Sequence, residues 1–199
     1  MLGYISGGMV SKYSKVNKIV QEGYSDYFGE KTLNLGCAGT LHEGMINADF
    51  YHKAADICFD ARHQWPFDNS LDAVYASHIL EHFSGEEALD VFWHMGNAMK
   101  VGGHLIAVVP HGMNELHFAN PFHKQAWTLS TLGHFDRRFH EDDGMNQDKL
   151  LHSWTTIEAL YRFADNIPKE LGFAEKFQLA LERINAVVEF FFVMKLEEK

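Results

Sequence analysis

Short, nearly uninterrupted apolar runs, separated by small and acidic residues, set the pattern of the first half of the chain. Leu33-Asn34-Leu35 runs into Gly36-Cys37-Ala38-Gly39, Ile46-Asn47-Ala48 ends in Asp49, and Ala55 to Phe59 ends in Asp60. Leu71 to Ser77 and Leu105 to Val109 are two more runs of strand length. Apolar runs without alternation predict parallel strands covered on both faces. Between the last two, Ser84-Gly85-Glu86-Glu87 is a capping-box pattern; it opens a helix with Ala88, Phe92, Met95 and Met99 on its apolar face and Gly102 beyond its end. Residues 37 to 45 and 51 to 55 are too short for crossover helices, so the first two connections are predicted to lack them.

The remaining segments read less regularly. Val16, Ile19, Val20, Tyr24, Tyr27 and Phe28 follow a helical stripe, which makes residues 1–30 a helical extension over an edge or the mouth of a cleft. Thr155-Thr156-Ile157-Glu158 reads as a second capping box leading into Ile157, Leu160, Tyr161 and Ala164. Lys176 to Arg183 and Ala186 to Leu196 read as two strands of an antiparallel hairpin around Asn185. Residues 111–152, with His117, Pro121, His123, Trp127, Phe135 and Phe139, form an insertion expected to cover a substrate pocket. With no repeat and no proline-rich linker, residues 1–199 are expected to form one α/β domain. The class is a Rossmann-like three-layer sandwich, its sheet mostly parallel with an antiparallel C-terminal strand.

In such sheets ligands bind beyond the carboxyl ends of the strands, where Gly36, Asp49, Asp60 and Ser77 fall. The phrase Pro66-Phe67-Asp68-Asn69-Ser70-Leu71-Asp72-Ala73-Val74-Tyr75-Ala76-Ser77-His78-Ile79-Leu80-Glu81-His82-Phe83, followed by Lys100-Val101-Gly102-Gly103, resembles the class I S-adenosylmethionine-dependent methyltransferases, most closely a short branch of predicted methyltransferases. The resemblance runs well over residues 30 to 125 and includes Asn120-Pro121-Phe122-His123-Lys124 with Thr128, which precedes a short helix in that family. It implies S-adenosylmethionine as cofactor, held by Gly36, Cys37, Ala38, Asp49, Phe50, Asp60, Ala61 and Ser77. Asp49 would accept the ribose hydroxyls, Phe50 would pack on the adenine, and Asp60 with Ala61 would meet its polar edge. Asp72, at the opposite end of its strand, reads as structural. The family commonly has glycine where Ala38 stands and an acid where Asn34 stands.

Charge and cysteine content narrow the partners. The chain has 17 basic and 27 acidic residues, a net charge of −10, which argues against nucleic acid or an anionic membrane as the partner. A small-molecule or sugar-type methyl acceptor is the expected substrate. Cys37 and Cys58 are the only cysteines, so a reducing, cytoplasmic setting without a disulfide framework is expected. Met1 to Val10 lacks the apolar run of a signal peptide, and Ala186 to Leu196 is interrupted by charge and too short to span a bilayer.

Methyl transfer needs an unprotonated nucleophile aligned with the sulfonium methyl, so proximity and, for a protonated acceptor, a base are the expected devices. His78 after the fourth strand and His111 after the fifth are the candidate bases, expected side by side in one cleft; His82 and His123 are the candidate substrate contacts. Two other readings stand beside this one. His78-Ile79-Leu80-Glu81-His82 matches the H-x-x-E-H zinc-hydrolase pattern, but the strand exit around it fits methyl transfer, and no metal is assigned. The departures at Ala38 and Asn34 motivate a cofactor-binding module without turnover.

Overall fold

The computed structural model describes residues 2–4, 24–139 and 153–198. Eight strands form one sheet: β1 (Leu2–Tyr4), β2 (Thr32–Leu35), β3 (Ile46–Asp49), β4 (Ile57–Cys58), β5 (Leu71–Ser77), β6 (Met99–Pro110), β7 (Ser153–Phe163) and β8 (Val187–Glu197). Their order is β1-β7-β8-β6-β5-β2-β3-β4, and only β8 runs antiparallel to its neighbours β6 and β7. From the β2/β5 pair the chain winds outward in both directions, through β3 and β4 on one side and β6 on the other. That reversal opens a crevice at the carboxyl ends of β2 and β5.

The local code of the first half is the one its apolar runs predict. No helix separates β2 from β3 or β3 from β4. Helix α1 (Gly85–Ala98) begins at a complete capping box: Ser84 Oγ accepts the Glu87 amide at 3.2 Å, and Glu87 Oε2 accepts the Ser84 amide at 2.8 Å. Its buried Ala88, Val91, Phe92 and Met95 cover one face of the sheet. Phe92 lies 4.3 Å from Phe135 and 5.6 Å from Trp154 between ring centroids, which ties the second half of the chain to this core. The other face buries Tyr75, Ile106, Val108, Phe191 and Val193 beneath Tyr24, Tyr27 and Phe28. Asp72 is structural, accepting the Lys31 amide at 2.8 Å and Lys100 Nζ at 2.6 Å.

Three expectations change in the structure. Residues 153–163 are a strand, not a helix. The β-branched run Thr155-Thr156-Ile157 favours extended backbone, and a bulge between Thr156 and Glu158 shifts the alternation so that apolar positions mimic a helical period. Buried Asp136 accepts the Thr156 amide at 2.8 Å at that irregularity, and Glu158 accepts Tyr27 OH at 2.6 Å rather than capping a helix. Residues 173–182 are helix α4 (Phe173–Glu182), not a strand; Glu175 accepts the Gly172 amide at 2.8 Å at its start, and Phe173, Phe177, Ala180 and Leu181 recur at helical spacing. β8 consequently pairs antiparallel with β7 and β6, not with residues 176–183. The helix expected over Val16 to Phe28 falls mostly outside the described residues, and within them Ser25–Tyr27 is one 3-10 turn. Among the described residues, no helix is long and apolar enough to cross a membrane.

Candidate active site

Two cavities meet at the carboxyl ends of the central strands, and His82 lines both. The first, about 260 Å³, lies over β2 and β3 between the Gly36 turn, Asp49, the exposed rings of Phe50 and Tyr51, and Asp60 with Ala61. Gly36 has φ +67°, and a Cβ there would stand 2.8 Å from the Ile79 side chain on the cavity wall. A side chain at this position would therefore be strained twice, by its backbone and by its neighbour.

Asp49 organises this turn. Its Oδ2 accepts the Ala38 amide at 2.9 Å, while Oδ1 accepts the amides of Tyr51 at 2.8 Å and His52 at 2.9 Å. Burial pushes its carboxyl up, but these three amides prevail and hold it below the ordinary range. A carboxylate oxygen can accept two hydrogen bonds, so Oδ2 keeps a lone pair for a ligand. Ala38 sits at φ +44°, a left-handed conformation that glycine adopts freely. Asp60 is gripped by Arg62 through Nη2 at 2.6 Å and Nε at 2.9 Å, which lowers its carboxyl to about 2. Arg62 continues to Glu87, and Glu87 to Lys124, so a chain of opposite charges walls the cavity.

Two residues expected here take other positions. Cys37 is buried, its amide bound to the Ala48 carbonyl at 2.9 Å, and burial raises its thiol pKa. Ser77 interacts with Tyr75 and lines neither cavity. Asn34, buried, ties the turn to β3 through Thr40 O and Asn47 Oδ1, each at 2.9 Å.

The second cavity, about 460 Å³, lies beyond β5, β6 and β8 beneath the segment from helix α2 (Glu115–Ala119) to His123. Helix α3 (Leu129–Gly133) follows, with Thr128 as its N-cap, as the resemblance implies. The rest of the expected insertion, residues 140–152, lies outside the described residues. Glu81 O accepts the amides of Lys124 at 2.8 Å and Gln125 at 3.2 Å, and this tether brings His123 over the cavity.

His78 lines this cavity in a left-handed conformation, φ +55°, between two buried carboxylates. Nε2 stands 3.4 Å from Glu189 Oε1 and Nδ1 stands 3.4 Å from Glu81 Oε1. Glu189 Oε2 also receives Arg162 Nε at 2.6 Å. Burial alone would lower the imidazole pKa, but the two carboxylates push it up to about 9. The two carboxylates thus favour the imidazolium, the form without the lone pair a base requires.

His111 is not beside it. Continuing the two-residue alternation of Leu105, Ala107 and Val109, its buried ring faces the core, 5.3 Å from Tyr161, with Nδ1 accepting the Met113 amide at 3.3 Å. It lines neither cavity, and burial lowers its pKa to about 4. The expectation of two histidines side by side in one cleft is corrected: His78 lines the cavity and His111 does not.

His82 and His123 do come together, with ring centroids 4.9 Å apart. Glu189 and Arg162 were missed by the sequence reading. Their signal was a single acid inside the apolar run Ala186 to Leu196, since a charge in a buried strand requires a partner.

Compared by sequence, the chain matches no protein-family model and no curated protein. Compared by structure, it is similar to a S-adenosylmethionine-dependent methyltransferase from Archaeoglobus fulgidus, at 16% identity and a TM-score of 0.59, over 91% of this chain and 93% of that one. It is similar to the N-methyltransferase NodS from Bradyrhizobium japonicum, solved with S-adenosylhomocysteine, at 11% identity and a TM-score of 0.57, over 92% and 86% of the two chains. It also overlays the [4+2]-cyclase SpnF at 11% identity and a TM-score of 0.63, over 98% and 87%. The chain has the class I S-adenosylmethionine-dependent methyltransferase fold.

Proposed function

We propose that this chain is a S-adenosylmethionine-dependent methyltransferase whose cofactor occupies the smaller cavity and whose small-molecule acceptor occupies the larger. The observation that carries this reading is the shared wall. Two cavities of different character abut at the sheet's switch point, so a reactive group at the edge of one faces the contents of the other.

The donor set of the first cavity suits a nucleoside. Asp49 Oδ2 accepts a ribose hydroxyl, Phe50 offers an exposed ring to the base, and Gly36 keeps the floor free of a side chain. Asp60 fixes Arg62 and, with the Ala61 backbone, faces the amino edge of the base. Cys37, Ala38 and Ser77 shape the turn and strand end behind it. When bound, the cofactor supplies an electrophilic methyl group on sulfur.

In the second cavity the positive His78 and the polar edges of His82 and His123 orient the acceptor. Neither His78 nor His111 takes its proton. Alignment of the acceptor with the methyl is the main catalytic device.

Calorimetry with S-adenosylmethionine and S-adenosylhomocysteine tests the cofactor half, and a labelled-methyl assay over small hydroxylated and amino compounds tests the rest. Binding of neither cofactor form rejects the reading. A fold that also carries a [4+2]-cyclase favours one further possibility: cofactor bound without methyl transfer, seen as tight binding with no transfer to any acceptor.

A further inference from the structure

We propose that Glu81, His82 and His123 form a divalent transition-metal site on the wall between the two cavities. Each contributes one ligand atom, and the three atoms lie within 4.8 Å of one another.

Three observations carry the assignment. Glu81 is about 1% exposed, and neither carboxylate oxygen has a hydrogen-bond partner among the described residues; its nearest cation, His78 Nδ1, stands at ion-pair distance only. Its ion pair with His78 is shared with Glu189 and leaves its lone pairs without a hydrogen bond, so the carboxylate can still take a second cation. Both histidines also have Nδ1 against a backbone carbonyl, His82 at 3.2 Å from Phe122 O and His123 at 3.1 Å from His117 O. Those contacts place the proton on Nδ1 and leave the Nε2 lone pair for a ligand, the arrangement that orients metal-binding histidines. His123 Nε2 already stands 3.9 Å from Glu81 Oε1. Finally, the site faces space: all three residues line the larger cavity, so a fourth position is open to whatever enters it.

The chemistry favours zinc-like ions. Two imidazoles and one carboxylate with an open position form a set that binds Zn²⁺ at about 2.1 Å, with ligand atoms roughly 3.4 Å apart. Modest side-chain rotation closes the observed spacing, and the ion displaces one hydrogen bond, from Asn120 Nδ2 to His123 Nε2 at 3.0 Å. The set differs from the zinc-hydrolase reading of the H-x-x-E-H motif, because His78 faces Glu189 and stays outside it.

The role we assign rests on the proposed methyl transfer. A hydroxyl oxygen of the acceptor fills the fourth position, where the ion lowers its pKa. The proton leaves to solvent, the O–CH3 bond forms as the CH3–S bond breaks, and the bonding pair returns to sulfur.

The test uses the full chain, dialysed against chelator and titrated with Zn²⁺ by calorimetry and with Co²⁺ by visible absorption. One equivalent should bind, with a tetrahedral Co²⁺ spectrum that shifts when acetohydroxamate is added as an oxygen ligand. His82→Ala and His123→Asn should each weaken Zn²⁺ binding at least tenfold, while His94→Ala, on α1 outside the cluster, should not. Circular dichroism identifies any variant that fails to fold, and His82, partly exposed at the cavity wall, is the substitution the fold tolerates best. With 13 histidines in the chain, adventitious binding would appear as equal affinity in all variants, and that result overturns the site. A Co²⁺ spectrum blind to acetohydroxamate overturns the acceptor role. Metal binding without S-adenosylmethionine binding rejects the methyltransferase reading and leaves the site standing; the converse result rejects the site alone.

Discussion

Nε2 of His78 lies 3.4 Å from Oε1 of Glu189, and the other oxygen of that carboxylate holds Nε of Arg162 at 2.6 Å. With Glu81 on the far side of the imidazole, charges alternate from Arg162 through Glu189 and His78 to Glu81. Burial would raise the Glu189 pKa, yet His78 and Arg162 keep it below the usual carboxylate range. A buried charge of this kind is tolerated because each neighbour cancels the next.

Removing the central anion should therefore harm the fold more than removing a surface charge. Glu189→Ala leaves two partly buried cations facing each other and is expected to destabilise the protein by about 2 to 4 kcal/mol in urea unfolding. Glu189→Gln, which keeps the volume and one acceptor, should cost less. Equal and small losses in both variants would show that the chain of charges contributes little.

Ala38, at φ +44°, occupies a backbone conformation unfavourable for a residue with a Cβ. Its amide is nonetheless fixed by Asp49 at 2.9 Å, so the turn does not relax. Ala38→Gly removes the steric cost, about 1 to 2 kcal/mol, against a smaller loss from the freer unfolded chain. A net gain of roughly 0.5 to 1 kcal/mol is expected, read as a rise in melting temperature. No gain would mean that the turn carries no such strain.

Where the sequence was legible, local pattern and final structure coincide. Leu33, Ala48, Val74 and Leu105 sit in strands covered on both faces, so their apolar runs need no tertiary knowledge to read. The Ser84 capping box is likewise self-contained. It failed where a distant partner decides. Ile157 sits at a bulge set by pairing with β8 and by Asp136, and neither is encoded nearby. The placement of His78 and His111 in one cleft failed for a different reason: strand-end position fixes where a residue sits, not what its ring meets. His78 met carboxylates from two separate elements, only one of them in its own motif. His111 was readable in principle, because the alternation from Leu105 already placed it on the core face.

Asp49 joins the Gly36 turn to the loop after β3, so its substitution tests ligand contact and loop order together. Asp49→Ala should weaken S-adenosylmethionine binding by about 1.5 to 3 kcal/mol, measured by calorimetry. The fold should persist, since the residue lies at a cavity and only partly buried. Unchanged affinity in a folded variant would remove Asp49 from the cofactor site.

His111 gives the protein a defined acid sensitivity. Its folded pKa is lowered to about 4 by burial, against about 6.5 in the unfolded chain, so the native state keeps the ring neutral while the unfolded state takes up a proton. Its contribution is therefore intact above pH 6.5 and is lost progressively as pH falls toward 4. The full difference between those limits is at most about 3 kcal/mol. Other partly buried histidines with lowered pKa, His42 and His104 among them, add to the same slope, so the comparison must be made by difference. His111→Gln is expected to lose stability at neutral pH, because Nδ1 accepts the Met113 amide, but to fall less steeply between pH 6.5 and 4. Urea midpoints for both proteins across that range decide the matter. Parallel curves would show that the ring takes a proton in the folded state and that its burial carries no such penalty.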